Sequence, residues 1–543
     1  MPKIDIMQKS IKSHLKSIID SQSMRIQLVR LDSIDTISIS GLLRLDKTQW
    51  RNFAKLISYG FVFALFFSAW LYVFIGIVEG LDGFSQKSPI WLNVMYCIII
   101  SIFGLISVAS YLFSPARVRL YFGFFAGLLL LYWIALSFRY SPFPLLIPLV
   151  WLGIGGIIGI IFWILLYFED LVFRILTLML LGSIHPFGFD WLIPQSFFAY
   201  SVFGVSNWDF FFIVVGVALI ALALFKRDMS AFRFLLFSKK LKQSKKPSFI
   251  NIKINIGAGF MGVISLLLAL NVDGLGINDI NATTPTNSQN TQNLAQYPLP
   301  LYQSLQDLSN QISLTQTHFA QDFKWNKTSL DVIKTALFEA INDAKARHKK
   351  IIVLPETILP FILNGEREYE ITSLEHLKNA SENIAIILGA FSKPNFNSTY
   401  VIYKGEVIIL NKVILAPFGE KMPLPDIIAK PLLELFFGVS EGLDSALTPQ
   451  DFTLFQWKFR NAICYEGTSQ ELYADNPSLV VMISNNGWFY PSIEPYLQRT
   501  LLKYRARKSN AVILHSANLS PSFMMTPKVL GDSFGNVAHI RVD

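Results

Sequence analysis

The sequence is short of cysteine and short of charge. Two cysteines in 543 residues, Cys97 and Cys464, exclude a secreted domain built on disulfides. Charged residues make up 16% of the chain, against ~25% in ordinary soluble domains, which excludes a plain soluble enzyme. A hydrophobic share of 52% and a mean hydropathy of +0.43 exclude a disordered regulator. Phosphate-cradling glycine loops are missing too: there is no Walker pattern, no dinucleotide fingerprint after a strand and no zinc-ligand spacing. No cofactor or metal is therefore expected. The net charge of +9 needs a separate explanation, which its placement supplies.

The apolar residues are segregated. Residues 1–50 form a polar segment with scattered lysines and arginines. Long apolar runs then follow near 55–79, 90–113, 117–137, 143–167, 208–225 and 252–270, each close to the ~20 residues that a bilayer core requires. The stretch 171–205 holds two shorter runs around Pro186, Gly188, Asp190 and Pro194, which reads as one interrupted crossing, tolerated where protein satisfies the backbone. The count is seven crossings. The segment 226–246 carries eight Lys or Arg against one Asp and belongs on the cytoplasmic side. Arg117, Arg119 and the basic N-terminal tail fall on that same side, so everything after residue 270 is expected outside. The positive charge thus marks topology, and no nucleic acid is expected as a partner.

Residues 51–271 are accordingly expected to form a polytopic α-helical membrane domain. Residues 272–310, rich in Asn, Thr and Gln, read as a linker. From 311 to 543 the pattern is α/β. Strand-like runs occur at 311–316, 351–355, 383–391, 398–403, 405–410, 459–464, 479–485 and 511–518, with helical stretches at 328–348 and 494–509.

Cys97 lies inside an apolar run and reads as packing. Cys464 ends the run NAIC and is followed by Tyr465, Glu466 and Gly467, a strand end where α/β folds present reactive groups. A nucleophilic thiol needs a partner for its proton. None of His318, His348, His376, His515 and His539 has a context that singles it out. Glu356 follows IIVLP and so leaves a buried strand directly after a proline. Lys412 sits in an apolar segment, NKVILAPFGEKMP, with Glu420 a few residues on.

Taken together, LPET around Glu356, NKVILAPFGE around Lys412 and ICYEG around Cys464 resemble the nitrilase superfamily. With the membrane half included, the chain resembles its membrane-embedded bacterial branch, the apolipoprotein N-acyltransferase family. QTHFAQDFKW (316–325), SNNGWF (484–489), YRARKSNAVILHSAN (504–518) and the span YFGFFAGLLLLYWIALSF (121–138) are similar to segments of that family. The resemblance implies an extracytoplasmic nitrilase-like α-β-β-α sandwich, with Glu356 as general base and acid, Lys412 as oxyanion stabiliser and Cys464 as nucleophile. Glu420 and Glu466 would be supporting carboxylates, and Tyr465 and Trp325 would shape or close the pocket.

The implied reaction is ping-pong: a phospholipid acylates the cysteine, and the α-amine of a diacylated apolipoprotein then takes the acyl chain from the thioester. The enzyme would be a monomer in the bacterial inner membrane with its catalytic domain on the periplasmic side. Two other readings share the same residues, a membrane-anchored carbon–nitrogen hydrolase (amidase or nitrilase) and a catalytically inactive scaffold. The chain departs from the family in having Leu354 where a Trp usually precedes Pro–Glu. The family also continues with a final strand region and a last membrane span, both expected to be missing here.

Overall fold

The computed structural model describes residues 47–81, 83–84, 88–224, 249–276, 307–437, 442–533 and 537–541. The polar residues 1–46, the basic segment 226–246 and the linker residues 277–306 lie outside the described residues. The chain divides into two compact units, Met1–Leu56 and Ile57–Asp543, and the whole candidate site lies in the second.

The apolar half contains α1 (Lys47–Ile75), α2 (Ile90–Phe113), α3 (Arg119–Leu131), α4 (Ile147–Leu165), α5 (Leu171–Leu181), α6 (Asn207–Leu224) and α7 (Phe249–Leu268). Among the described residues, six segments are long and apolar enough to cross a membrane, from Gln49–Gly80 to Asn207–Leu224. The remaining expected crossing falls on α7, whose described apolar part is the shorter Ile256–Leu268. On α4, Leu149, Leu152, Ile160 and Ile164 are exposed, a large outward apolar face of the kind a lipid environment accommodates.

The interruption after α5 is real. Phe187 and Gly188 take left-handed φ values of 56° and 81°, and residues 190–200 are buried without forming an α-helix. Protein groups satisfy this irregular backbone, as an apolar setting demands. Ser101 Oγ accepts from Val202 N–H, Ala269 O accepts from Gly204 N–H, and Arg507 donates to the carbonyls of Phe198, Ala199 and Phe203.

The C-terminal half begins with β1 (Ile312–Thr317), the short helix α8 (Gln321–Lys324) and α9 (Leu330–Ala346). Next come β2 (Ile351–Val353), β3 (Leu359–Ile362), α10 (Glu368–Ala380), β4 (Ala385–Ser392), β5 (Phe396–Tyr403), β6 (Glu406–Asn411) and α11 (Asp426–Phe437). The rest comprises β7 (Asp451–Leu454), β8 (Trp457–Ile463), β9 (Leu479–Asn485), α12 (Glu494–Ser509), β10 (Val512–Asn518), β11 (Phe523–Met525) and β12 (Val537–Ile540). The last described strand, β12, pairs in parallel with β1. Its sequence, VAHI, is too short to stand out as a strand, and the neighbouring β1 edge supplies the ladder.

The main path of the sheet runs β6-β5-β4-β2-β1-β10-β9-β8-β7. Its two halves meet at a narrow seam, where β1 and β10 pair only at Gln316↔Ala517 and Thr317↔Asn518. Alternation along the strands sorts side chains into layers. Val353, Ile387, Val481 and Leu514 share one core between the halves. Ile352, Ile386 and Leu388 face Ile333, Leu337 and Ile341 of α9, while Val480, Met482 and Ile513 face Leu502 and Ala506 of α12. The order is helix, sheet, sheet, helix: an α-β-β-α sandwich.

Candidate active site

The reactive side chains leave the sheet at the carboxyl ends of strands. Beyond β2, Pro355 cannot donate to the ladder, and Glu356 follows it, 6% exposed. Gly389 of β4 is required beside it. A Cβ there would lie 2.6 Å from Glu356 Cα and closer still to Thr357 N. Lys412 follows β6 and is 1% exposed. Cys464 follows β8, half-buried, with φ 54°. A left-handed non-glycine residue costs about 1–3 kcal/mol and persists only where its surroundings over-determine it.

Those surroundings are visible. Glu466 Oε1 accepts the Ile463 N–H at 2.7 Å, and its Oε2 accepts the N–H groups of Val413 and Ile414 at 2.9 and 3.1 Å. Glu466 therefore ties the turn after β8 to the segment carrying Lys412.

Lys412 Nζ lies 2.6 Å from Glu420 Oε2 and 4.0 Å from Glu356 Oε1. Asn397 of β5 bridges the two acids, its Nδ2 donating to Glu356 Oε1 at 2.7 Å and to Glu420 Oε1 at 3.0 Å. Ala416 N–H adds a 2.8 Å bond to Glu420 Oε2. Burial by itself would lower the Lys412 pKa, but Glu420 and Glu356 outweigh it and hold the ammonium well above its usual value. Burial, then the Glu356 carboxylate, push the Cys464 thiol far up, against the downward pull of Lys412. Burial likewise raises Glu466 to about 7, opposed by Lys412 and the three backbone donors. The arrangement is a buried cluster in which Lys412 is held charged, two acids are bridged by an amide, and the nearby thiol has a raised pKa.

The expected residues Glu356, Lys412, Glu420 and Glu466 come together, with Cys464 within their electrostatic reach. The Tyr465 side chain turns toward the segment after α5 instead, with its ring stacked on Phe189 and Trp191. Trp325 is 41% exposed, its ring 6.1 Å from Trp488 and 6.0 Å from Phe391.

Three residues escaped the sequence reading. Asn397 sits in a polar strand start with nothing to mark it. Lys324 is buried, and its Nζ donates to Glu356 O at 2.9 Å and Thr357 Oγ1 at 2.8 Å; its place beside Trp325 in QTHFAQDFKW was the available signal. Burial lowers its pKa to about 7, against the upward pull of Glu356 and Cys464. Glu494 opens α12, where an acid looks like ordinary helix-dipole complementation, yet it is 1% exposed and its Oε2 has no hydrogen-bond partner among the described residues. Burial and then Glu356 hold its carboxyl well above the usual range.

The family description "Apolipoprotein N-acyltransferase integral membrane domain" matches residues 53–242. A Helicobacter pylori protein named apolipoprotein N-acyltransferase is 37% identical over 457 residues, covering 83% of this chain and 92% of the relative. The chain belongs to the apolipoprotein N-acyltransferase family. A Wolinella succinogenes apolipoprotein N-acyltransferase is 36% identical over 468 residues, or 86% of this chain and 94% of the relative. Among solved structures, an amidase of the nitrilase superfamily from Nesterenkonia AN1 matches at TM-score 0.30 and 14% identity, over 41% of this chain and 85% of that one. A member of this family acts on lipoproteins as a multi-pass membrane enzyme, and here an α-β-β-α sandwich follows the apolar helices.

Proposed function

We propose that the enzyme moves an acyl chain from a phospholipid to the α-amine of a diacylglyceryl-cysteine apolipoprotein, through a thioester on Cys464. The observation that carries this reading is the buried Glu356–Asn397–Glu420–Lys412 cluster beside a half-buried thiol on a left-handed turn. Because burial and Glu356 keep the Cys464 thiol protonated, its proton must leave as the sulfur attacks. Glu356 takes that proton while Lys412 faces the tetrahedral oxyanion, a fixed charge in a dry site. The oxyanion collapses, the ester C–O bond breaks, and Glu356 returns the proton to the lysophospholipid oxygen. In the second half the lipoprotein amine attacks the thioester, Glu356 takes its proton, the C–S bond breaks and the sulfur is reprotonated. Glu420 keeps Lys412 charged and placed, and Glu466 holds the turn. No cofactor is needed at any step.

In this reading residues 51–271 form the membrane domain, 272–310 a linker and 311–543 the catalytic domain of a monomer. The basic tail and segment 226–246 favour the cytoplasm. Arg139 bonds Tyr490 and Tyr465 bonds Gly188 across the membrane and catalytic halves, which supports one shared side for the two, and the basic segments make that side the periplasmic face of the bacterial inner membrane. In this reading Trp325, exposed and next to the Lys324 that bonds Glu356 and Thr357, shapes the entry for lipid substrates.

The test is incubation of full-length protein with a phospholipid carrying a labelled acyl chain, followed by peptide mass spectrometry. The adduct is expected on Cys464, absent from Cys464→Ser and retained in Cys97→Ser. Hydrolysis of small soluble amides with no acyl adduct would overturn the reading.

A further inference from the structure

The segment after α5 does more than interrupt a crossing. Tyr465, the residue after the proposed nucleophile, packs its ring against both Phe189 and Trp191, with centroids 5.9 and 6.1 Å away and interplanar angles of 16° and 20°, and those two rings lie 5.8 Å from each other. Its hydroxyl lies 2.7 Å from Asp190 Oδ1 and 3.0 Å from Gly188 O, and it accepts the Asp190 N–H at 3.1 Å. A phenol has one proton to give, and the carboxylate is both the nearer and the stronger acceptor. Asp190 is 7% exposed, with Arg505 Nη2 3.8 Å from its Oδ2. A second link runs parallel to the first. Trp191 Nε1 donates to Thr468 Oγ1 at 2.7 Å, Thr468 Oγ1 donates to Tyr465 O at 2.7 Å, and Arg505 Nε donates to Thr468 O at 2.7 Å.

The turn 464–468 is therefore held from two directions. Glu466 fastens it to the catalytic domain, and Tyr465 fastens it to the lipid-side segment. Cys464 has the backbone conformation that such over-determination must maintain.

We propose that Asp190 is a positioning residue for acyl transfer, acting through Tyr465 to hold the Cys464 turn in its left-handed conformation. The apolar half thereby contributes a buried carboxylate to the geometry of the nucleophile as well as a lipid-facing surface. The inference rests on Cys464 being the acylated residue.

The test measures the rate of labelled-acyl adduct formation on Cys464 in full-length wild type, Asp190→Ala, Asp190→Asn, Tyr465→Phe and the double variant Asp190→Ala/Tyr465→Phe. Failure of the wild type to form the adduct would remove the nucleophile assignment itself, and so is distinguishable from failure of this inference. With a wild-type adduct in hand, Asp190→Ala is expected to lower the maximal acylation rate about 10- to 100-fold, the loss of one hydrogen bond to a charged group, with half-saturation by phospholipid unchanged. Asp190→Asn keeps a neutral oxygen acceptor for Tyr465 and is expected to recover part of that loss. The double variant should be little slower than either single one, since both break the same link. Wild-type rates in Asp190→Ala, fully additive effects, or an Asp190→Asn variant as slow as Asp190→Ala would each overturn the proposal. If Asp190→Ala does not fold, Tyr465→Phe takes its place, and a wild-type rate in Tyr465→Phe, or an Asp190→Asn variant as slow as Tyr465→Phe, would overturn the proposal.

Discussion

Replacing Glu420 by Gln tests the electrostatics of the cluster most directly. The substitution keeps the side chain's shape but removes the charge 2.6 Å from Lys412 Nζ, leaving Glu356 at 4.0 Å as the nearer remaining acid. At an effective dielectric of about 20, those separations correspond to roughly 6 and roughly 4 kcal/mol of attraction. The variant thus loses the larger support, and Lys412 then leans on the carboxylate that must also carry the proton. Allowing for the residual dipole of the amide and some rehydration, the net loss is about 3 kcal/mol, or about a hundredfold in acylation rate. The pH profile supplies the sharper readout. Burial alone lowers the Lys412 pKa and Glu420 is the foremost influence opposing it, so in Glu420→Gln that pKa falls. On the proposed mechanism the charged lysine is the active form, so activity should be lost as pH rises through the lowered value. The wild type should show no such basic limb in the same range. Single-turnover acylation measured across pH reads both quantities. A rate within about twofold of wild type, or a loss that is uniform across pH, would refute the electrostatic account of Lys412.

Two further substitutions probe the surroundings. Glu494 holds its proton well above the usual range in the folded chain, so the stability it contributes at low pH is lost as pH rises through that folded-state value. Glu494→Gln cannot ionise, and its unfolding in denaturant at about pH 6 and about pH 9 should differ less than that of the wild type. Gly389→Ala drives a methyl group into the backbone of Glu356 and Thr357, which cannot rotate aside. It should cost about 1–3 kcal/mol in unfolding experiments and slow acylation through displacement of Glu356.

Much of the site was legible because its residues sit where apolar runs stop. Glu356 after IIVLP, Lys412 after VIILN and Cys464 after NAI are strand ends, and strand ends can be read from composition. Asn397, Lys324 and Glu494 could not be found that way, because each acquires its meaning from groups distant in sequence. Asn397 bridges acids contributed by two other loops, and Lys324 is defined by the backbone of Glu356. In the fold, strands set in longer apolar runs were readable, whereas β3, β7, β11 and β12 are three- or four-residue strands with no such unbroken run around them, and so short a stretch carries almost no periodicity. α10 was missed for a different reason: its sequence EYEITSLEHLKNA buries few apolar residues. Asp190 read as a simple breaker of a span, because its partner Tyr465 lies in the other half of the chain.

The helix α12 has consequences for how this protein can be divided. One of its faces, Leu502 and Ala506, packs on the sheet. Another, Leu497, Leu501 and Tyr504, belongs to the same continuous core as Phe67, Phe122 and Phe197 of the apolar half. Its buried Lys503 pairs with Asp532, and its Arg507 saturates carbonyls of the segment after α5. The composition change near residue 270 is therefore a boundary between solvents and not a boundary between independently folding modules. An excised C-terminal half would turn an interior helix into a surface one, with Arg507 stripped of its carbonyl acceptors and an apolar stripe left wet. Chimeras between relatives will hold together only when the segment after α5 and α12 are taken from the same parent.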